Sequence, residues 1–348
     1  MMNKENSLKL KLPLLLPFEA KDCRKSLTYI GAAGFEPRAF SVINSLTKDN
    51  VRVDNAIAIT YLPFDNRNKV KKFGKRLKGL TSSISWVIYN RHDPQSFQNS
   101  FPSLFATINS KSVLIDISAM SKMLIMLVLQ LIRKTNKEVI ITYSEASTYY
   151  PTIKEFQTKK RLKVPTDFLT SDVFRILHVT SLSSSSMQGH PILLIAYPTF
   201  NHKEIVALHN ELSPNCMLLI LGMPHEKHNE WRLKAIKEIN SRILDDSDYC
   251  REIMTLSTFD YISNTLKLEE IYQKYKYTHR ILLAPTGSKL QTIACFMFKQ
   301  LHPDVQIVYP ATEYFSGDYT DGCKAIWCIP IANFLELISQ LDKYRWLS

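Results

Sequence analysis

Short apolar runs recur along the chain, and most of them open onto small or hydroxylated residues and then onto a helix-period pattern. Leu27-Thr28-Tyr29-Ile30 enters the bend Gly31-Ala32-Ala33-Gly34-Phe35-Glu36-Pro37-Arg38, followed by a helical pattern over 39–46. The run 55–60 leads through Tyr61-Leu62-Pro63-Phe64-Asp65-Asn66-Arg67-Asn68 into a basic helix, and 84–89 reads as a third strand. A fourth strand, Leu114-Ile115-Asp116-Ile117, turns through Ser118-Ala119-Met120-Ser121 to Lys122, then continues as an apolar helix over 123–134 and a strand over 138–143. Strands alternating with helices predict an α/β fold whose mainly parallel sheets are joined by right-handed crossovers.

The same succession then begins again. A strand over 192–196 bends through Tyr197-Pro198-Thr199-Phe200-Asn201-His202-Lys203 into a helix over 204–212, and 216–221 runs into Gly222-Met223-Pro224-His225-Glu226-Lys227-His228-Asn229. After a strand at 253–256 and a helix over 266–275, Leu282-Leu283-Ala284 turns through Pro285-Thr286-Gly287-Ser288 to Lys289, with a helix over 290–301 and a strand over 305–309 beyond it. Ile30 pairs with Ile195, Phe35 with Phe200, Arg38 with Lys203, Pro63 with Pro224, Asn68 with Asn229 and Lys122 with Lys289, always in the same order and at nearly constant spacing. Any two doubly wound domains share buried strands that open onto helices; the ordered pairs are what point to duplication. The expected architecture is two tandem Rossmann-like domains with a pseudo-two-fold internal duplication. Residues 1–26 would form an N-terminal arm, 27–155 the first domain, 156–189 a polar, basic and then Ser-rich linker, and 190–348 the second domain.

A length of 348 residues suits two such cores. With 45% hydrophobic and 22% charged residues, global disorder is excluded. The run Leu12-Pro13-Leu14-Leu15-Leu16-Pro17-Phe18 is short and broken by prolines, which reads as a lead-in strand or packing arm rather than an export signal. No apolar run approaches the ~20 residues a membrane span needs. Six scattered cysteines without a CxxC pair fit inert thiols in a reduced, cytoplasmic setting. A net charge of +12 points to an anionic partner. The basic stretches around Lys69 to Lys78, Lys159 to Lys163 and Lys274 to Arg280 fit either nucleic acid or merely solvated surfaces.

In parallel α/β sheets the loops leaving the carboxyl ends of the strands bind ligands. Lys122 and Lys289 could each meet a phosphate there, with Ser118, Ser121, Thr286 and Ser288 as hydroxyl donors, Gly287 allowing close approach, and the free N–H groups of a helix start behind them. Helix-capping serines beside exposed lysines explain the same residues. Neither turn is a Walker A loop, and Gly31 and Gly34 form GxxG rather than the dinucleotide fingerprint, so no nicotinamide or other cofactor is expected. Gly31 and Gly34 of the first bend, with Arg38 and its counterpart Lys203, are candidate anion contacts. Asp116 would order Lys122, bind a ribose hydroxyl or cap the turn. His225 and Glu226 are acid/base candidates, and without HExxH spacing no metal site is expected. Tyr143, Tyr149, Tyr309 and Tyr314 would stack on bases or pack on the sheet.

The segments Asp116-Ile117-Ser118-Ala119-Met120-Ser121-Lys122 and Ala284-Pro285-Thr286-Gly287-Ser288-Lys289 resemble the lysine-ended, Thr/Ser-Gly-rich motif of CRISPR-associated Rossmann-fold (CARF) sensors, fused pairs of which occur in SAVED domains. Met120 stands where that motif has glycine, and Pro285 precedes Thr286. The resemblance implies a nucleotide or cyclic oligonucleotide second messenger held between two Rossmann-like units in antiviral defence, ring-nuclease-like phosphodiesterase activity in some members, and a separate effector protein. A nucleotide- or sugar-phosphate-processing enzyme using His225, Glu226 or Asp93, a basic DNA- or RNA-binding accessory protein, and a homodimer all stay open at this point.

Overall fold

The computed structural model describes residues 11–23, 26–162, 172–245, 250–313 and 319–347. Tyr314 and Lys163 lie outside the described residues. In the first half, strands β1 (Leu16–Pro17), β2 (Leu27–Ala32), β3 (Asn55–Leu62), β4 (Ile84–Asn90), β5 (Ser112–Asp116) and β6 (Glu138–Glu145) alternate with helices α1 (Ser41–Lys48), α2 (Val70–Lys78), α3 (Pro94–Ala106) and α4 (Lys122–Ile132). A short strand β7 (Thr148–Tyr149), helix α5 (Ile153–Leu162) and strand β8 (Val173–Leu177) lead to the second half. There β9 (Ile192–Ala196), β10 (Cys216–Met223), β11 (Cys250–Ser257), β12 (Arg280–Ala284) and β13 (Gln306–Ile307) alternate with α6 (His202–Leu212), α7 (Trp231–Ile239), α8 (Ser241–Leu244), α9 (Tyr261–Tyr275) and α10 (Lys289–Leu301). The chain then runs through β14 (Tyr309–Thr312), β15 (Thr320–Asp321), β16 (Ala325–Ile331) and α11 (Phe334–Leu347).

The two sheets share one topology. In the first the parallel strands lie in the order β6-β5-β2-β3-β4, and in the second β13-β12-β9-β10-β11. Each is a doubly wound sheet whose order reverses between its first and fourth strands, β2/β5 and β9/β12, which is where such sheets open a crevice. Both lysine turns leave the fourth strand at that point.

Period-two alternation explains how the halves join. Ile30, Ile57, Ile59, Val113 and Ile115 share one core with Leu193, Ile195, Leu218, Ile220, Ile281 and Leu283, whereas Leu27, Tyr29, Ala56 and Leu114, on the opposite face of the first sheet, pack under α1 and α2. Between the sheets lie α4 and α10, apolar on nearly every side and buried along almost their whole lengths. A helix buried all round needs apolar partners on all sides, and α4 and α10 supply them to each other. Gln130 and Gln300 pair across this seam at 3.0 Å.

Strand pairing crosses the expected boundaries at two places. Strand β16, inside the stretch assigned to the second domain, runs antiparallel along β6 from Ala325–Glu145 to Ile331–Val139, and β1 pairs with its outer side. The first sheet therefore has seven strands. An apolar run signals a strand but not which sheet edge it will cover, and β6 would otherwise offer an open edge. Likewise β8, within the expected linker, pairs with β14. Among the described residues no helix is long and apolar enough to cross a membrane, and Cys23, Cys216, Cys295, Cys323 and Cys328 are free thiols.

Candidate functional site

The loops at the carboxyl ends of both sheets enclose a cavity of about 300 Å³. Its wall includes Gly34 and Arg38 from the loop after β2, Ser121 and Lys122 after β5, Tyr197 and Glu204 after β9, His225 and Glu226 after β10, and Gly287, Ser288 and Lys289 after β12. Residues from both sequence repeats thus meet in one space.

The serines cap. Ser121 Oγ accepts from Leu124 N at 3.3 Å, and Ser288 forms a full capping box with Gln291, accepting from its N–H at 3.1 Å while its own N–H donates to Gln291 Oε1 at 2.8 Å. The lysines, however, are not surface residues. Lys122 Nζ donates to Thr286 O at 2.7 Å, and Lys289 Nζ donates to Met120 O at 2.7 Å. Each ammonium reaches the backbone of the opposite half's turn. Desolvation lowers the pKa of both, against the pull of Glu204 for Lys122 and of Glu36 for Lys289; Lys289 falls to about 7, with Arg38 and Lys122 adding repulsion.

Several expected ligand contacts lie behind this wall. Ser118 is fully buried, donating to Asp116 Oδ1 at 2.5 Å and accepting from Ser144 N at 2.8 Å. Thr286 Oγ1 accepts from Tyr197 N at 3.0 Å and donates to Tyr197 O at 2.8 Å. Gly31 sits within β2, where a Cβ would fall 2.3 Å from the Tyr29 hydroxyl. That hydroxyl donates to Asp116 Oδ2 at 3.1 Å. Asp116 therefore braces the turn from inside instead of ordering Lys122 or facing a ribose, and burial raises its pKa to about 6 despite these donors. Gly34 does line the cavity, where a Cβ would lie 3.0 Å from the Ala119 Cβ.

Arg38 lines the cavity but is already neutralised. It lies in a short 3-10 turn, 3% exposed, 2.7 Å from Glu36 Oε2, and also donates to Ser144 O. Burial alone would lower its pKa, but Glu36 more than reverses this and holds it above the ordinary value. Lys203 departs from its expected role, because it begins a true helix, pairs with Asp172 at 2.8 Å and lies off the cavity wall.

His225 and Glu226 face the cavity beside a residue that the sequence reading passed over, Glu145. His225 Nε2 lies 3.2 Å from Glu145 Oε1, and its ring lies against Phe259 at 4.3 Å. Glu226 contacts Lys324, His228 and Asn229. One donor atom each from Glu145, His225 and Glu226 lies within 4.8 Å of the others, the one three-donor group of this kind among the described residues. The absence of HExxH spacing argues against a metal site, but that motif does not cover a set in which His225 and Glu226 share one loop and Glu145 comes from β6, far away in sequence.

Tyrosines are the other feature largely missed. Tyr61, Tyr143, Tyr149, Tyr150, Tyr197, Tyr309 and Tyr319 all line the cavity. Tyr61 OH donates to Ala119 O and accepts from Ser121 N, both at 2.9 Å, pinning the first lysine turn. Tyr143 and Tyr149 share a hydroxyl hydrogen bond at 2.9 Å. Arg232 donates to the carbonyls of Tyr149, Tyr150 and Pro151 while stacking on Phe200 at 4.6 Å. Tyr143, Tyr149 and Tyr309 stand among the aromatic candidates of the sequence; Tyr61, Tyr150, Tyr197 and Tyr319 are marked only by their placement at loops closing one cleft, which is invisible to periodicity.

No protein-family model and no curated protein matches the chain. Among solved structures, Can2 from Sulfobacillus thermosulfidooxidans in complex with cyclic tetra-adenylate aligns over 37% of this chain and 38% of its own, at 14% identity and a TM-score of 0.26. Csm6 from Enterococcus italicus bound to cyclic hexa-2'-fluoro-hexa-dAMP aligns over 45% and 40%, at 14% identity and 0.26. A putative universal stress protein from Pseudomonas aeruginosa UCBPP-PA14 aligns over 92% and 98%, at 6% identity and 0.24. The chain thus matches about two fifths of Can2 and Csm6. TM-scores of this size carry no weight for function, and the α/β assignment stands on the strand order itself.

Proposed function

We propose that the cavity between the two halves binds a phosphate-rich nucleotide, in its sharpest form a cyclic or linear oligonucleotide second messenger, and that the protein is a sensor of the CARF kind acting in antiviral defence. The observation that carries this is the convergence of Lys122 and Lys289, from equivalent turns of a duplicated fold, on one space. Two cations held in a pseudo-symmetric, largely desolvated wall suit a ligand with repeated phosphates, each charge-assisted contact supplying about 1.5–3 kcal/mol. Arriving phosphates compete with the carbonyls of Thr286 and Met120 for the same ammonium groups, so ligand entry would loosen the contact between the halves. The tyrosine-rich wall offers flat faces for bases.

The test is a thermal-shift and calorimetric screen of cyclic and linear oligonucleotides against the wild type and the Lys122→Ala, Lys289→Ala double variant. Loss of binding with retained fold supports the assignment; unchanged affinity overturns it. A second reading, a phosphate-processing enzyme at the same cavity, is favoured by His225 and Glu226 lining the wall that carries the lysines. It predicts turnover of the bound ligand, detected by chromatography of the recovered nucleotide. Asp93, the other acid considered for that role, is exposed at the start of α3 and off the cavity wall.

A further inference from the structure

We propose that Glu145, His225 and Glu226 form a divalent-cation site on the cavity wall, which the Lys324 ammonium occupies as an exchangeable counter-charge when no metal is bound. The proposal does not rest on the nucleotide reading, since the site is defined by its own donors.

Four observations carry it. Two carboxylates and an imidazole place one donor atom each within 4.8 Å, a mixed oxygen and nitrogen set suited to Zn²⁺ or Mn²⁺ more than to Mg²⁺. Glu145 is almost wholly buried, yet its Oε1 accepts no hydrogen bond and points at His225, while its Oε2 is fixed by the Trp327 indole N–H at 3.0 Å. A buried carboxylate oxygen with only ion-pair neighbours, His225 Nε2 at 3.2 Å and the Lys324 ammonium at 3.9 Å, and no hydrogen bond is costly, and a cation bound directly to it relieves that cost. Lys324 already supplies positive charge to this spot, contacting Glu226 Oε1 and lying 3.9 Å from Glu145 Oε1. Its side chain is half exposed and its backbone N–H is held by Glu145 O, so the ammonium can swing into solvent without disturbing β16. Metal bonds of about 2.0–2.2 Å require the donors to draw together by roughly 1 Å; His225 and Glu226, partly exposed on a loop, have that freedom. Three protein donors leave further coordination positions, and His225 and Glu226 both border the cavity, so a cation held here meets whatever occupies it.

Titration of the full-length, chelator-stripped protein with Mn²⁺ alone, followed by electron paramagnetic resonance, and with Zn²⁺ against a competing indicator, tests this without any nucleotide. The expected result is one site, weakened about tenfold or more in His225→Ala and in Glu226→Gln and tightened severalfold in Lys324→Ala, with circular dichroism unchanged. These substitutions lie at the rim, so folding is not at stake as it would be for Glu145. Wild-type binding no tighter than that of the His225→Ala, Glu226→Gln double variant, or Lys324→Ala binding no better than wild type, overturns the proposal. Nucleotide binding in excess chelator is a separate readout, so either assignment can fail alone.

Discussion

In the first half the lysine turn is braced from two sides: Tyr61 grips the backbone at Ala119 and Ser121, and Asp116 gathers Ser118 and Tyr29 beneath it. In the second half, among the described residues, no carboxylate is hydrogen-bonded beneath the turn. Thr286 closes two hydrogen bonds onto Tyr197, and Ser288 and Gln291 form a capping box that also ties to Thr258 O. Strand order, helix cap and cation are common to both; the bracing is not. What the two halves share is the position of the charge, and each meets the demand of holding it with local hydrogen bonds of its own. The carboxylates that pull on the lysines from nearby differ too, Glu204 for Lys122 and Glu36, itself paired with Arg38, for Lys289.

The sharpest way to break the equivalence is to remove the cations. The double alanine variant is expected to lose at least about a hundredfold in nucleotide affinity, the sum of two contacts of about 1.5–3 kcal/mol each, and isothermal calorimetry on the two single variants shows whether the halves contribute equally. Next in size are the glycines. A Cβ at Gly287 would fall 2.3 Å from Gln291 Oε1 and 3.0 Å from Tyr197, whereas one at Gly34 would come no closer than 3.0 Å, to the Ala119 Cβ. Gly287→Ala is expected to cost about 1–2 kcal/mol in urea unfolding and Gly34→Ala less, since the former ejects the capping glutamine.

Protonation separates the lysines further. With Lys289 near pH 7, anion affinity falls as pH rises through that value, by up to about tenfold per unit, and the slope vanishes in Lys289→Met. The stability effect has the opposite sign. Between about 7 and the ordinary 10.5 the unfolded chain holds the proton more tightly, so stability rises with pH across that window, and Lys289→Met is expected to raise Tm at pH 7 by about 2–4 °C in scanning calorimetry. Smallest are the caps: Ser288→Ala should cost about 1 kcal/mol and Ser121→Ala about 0.5, because only Ser288 has the reciprocal box and a second acceptor. Equal losses would show that the bracing differs only in appearance.

Much of this frame is legible in the chain. The strand pattern and the paired turns with Lys122 and Lys289 follow from apolar periodicity, and the structure keeps their order. Of the three roles open to Asp116, capping the turn is the one its position fits, and alternation says why: two residues after Leu114, it falls on the face shared with Tyr29, away from the seam where α4 and α10 meet. Lys203 was matched to Arg38 by position, but a 3-10 turn and an α-helical first turn aim equivalent side chains differently. Glu145 could not be found from sequence, because its meeting with His225 depends on two sheets docking. The return of β16 was hidden for the same reason, since a strand's composition does not name its neighbour.

That return has a bearing on how the molecule could be taken apart. A fragment cut in the stretch between the repeats would carry β6 with its backbone N–H and C=O groups bare along one side and would lack the Thr320 hydroxyl that donates to Glu36 at 2.5 Å. The repeats read as two modules in pattern, but the tail of the second forms the selvedge of the first, and co-expressed pieces would have to find that seam before either could settle.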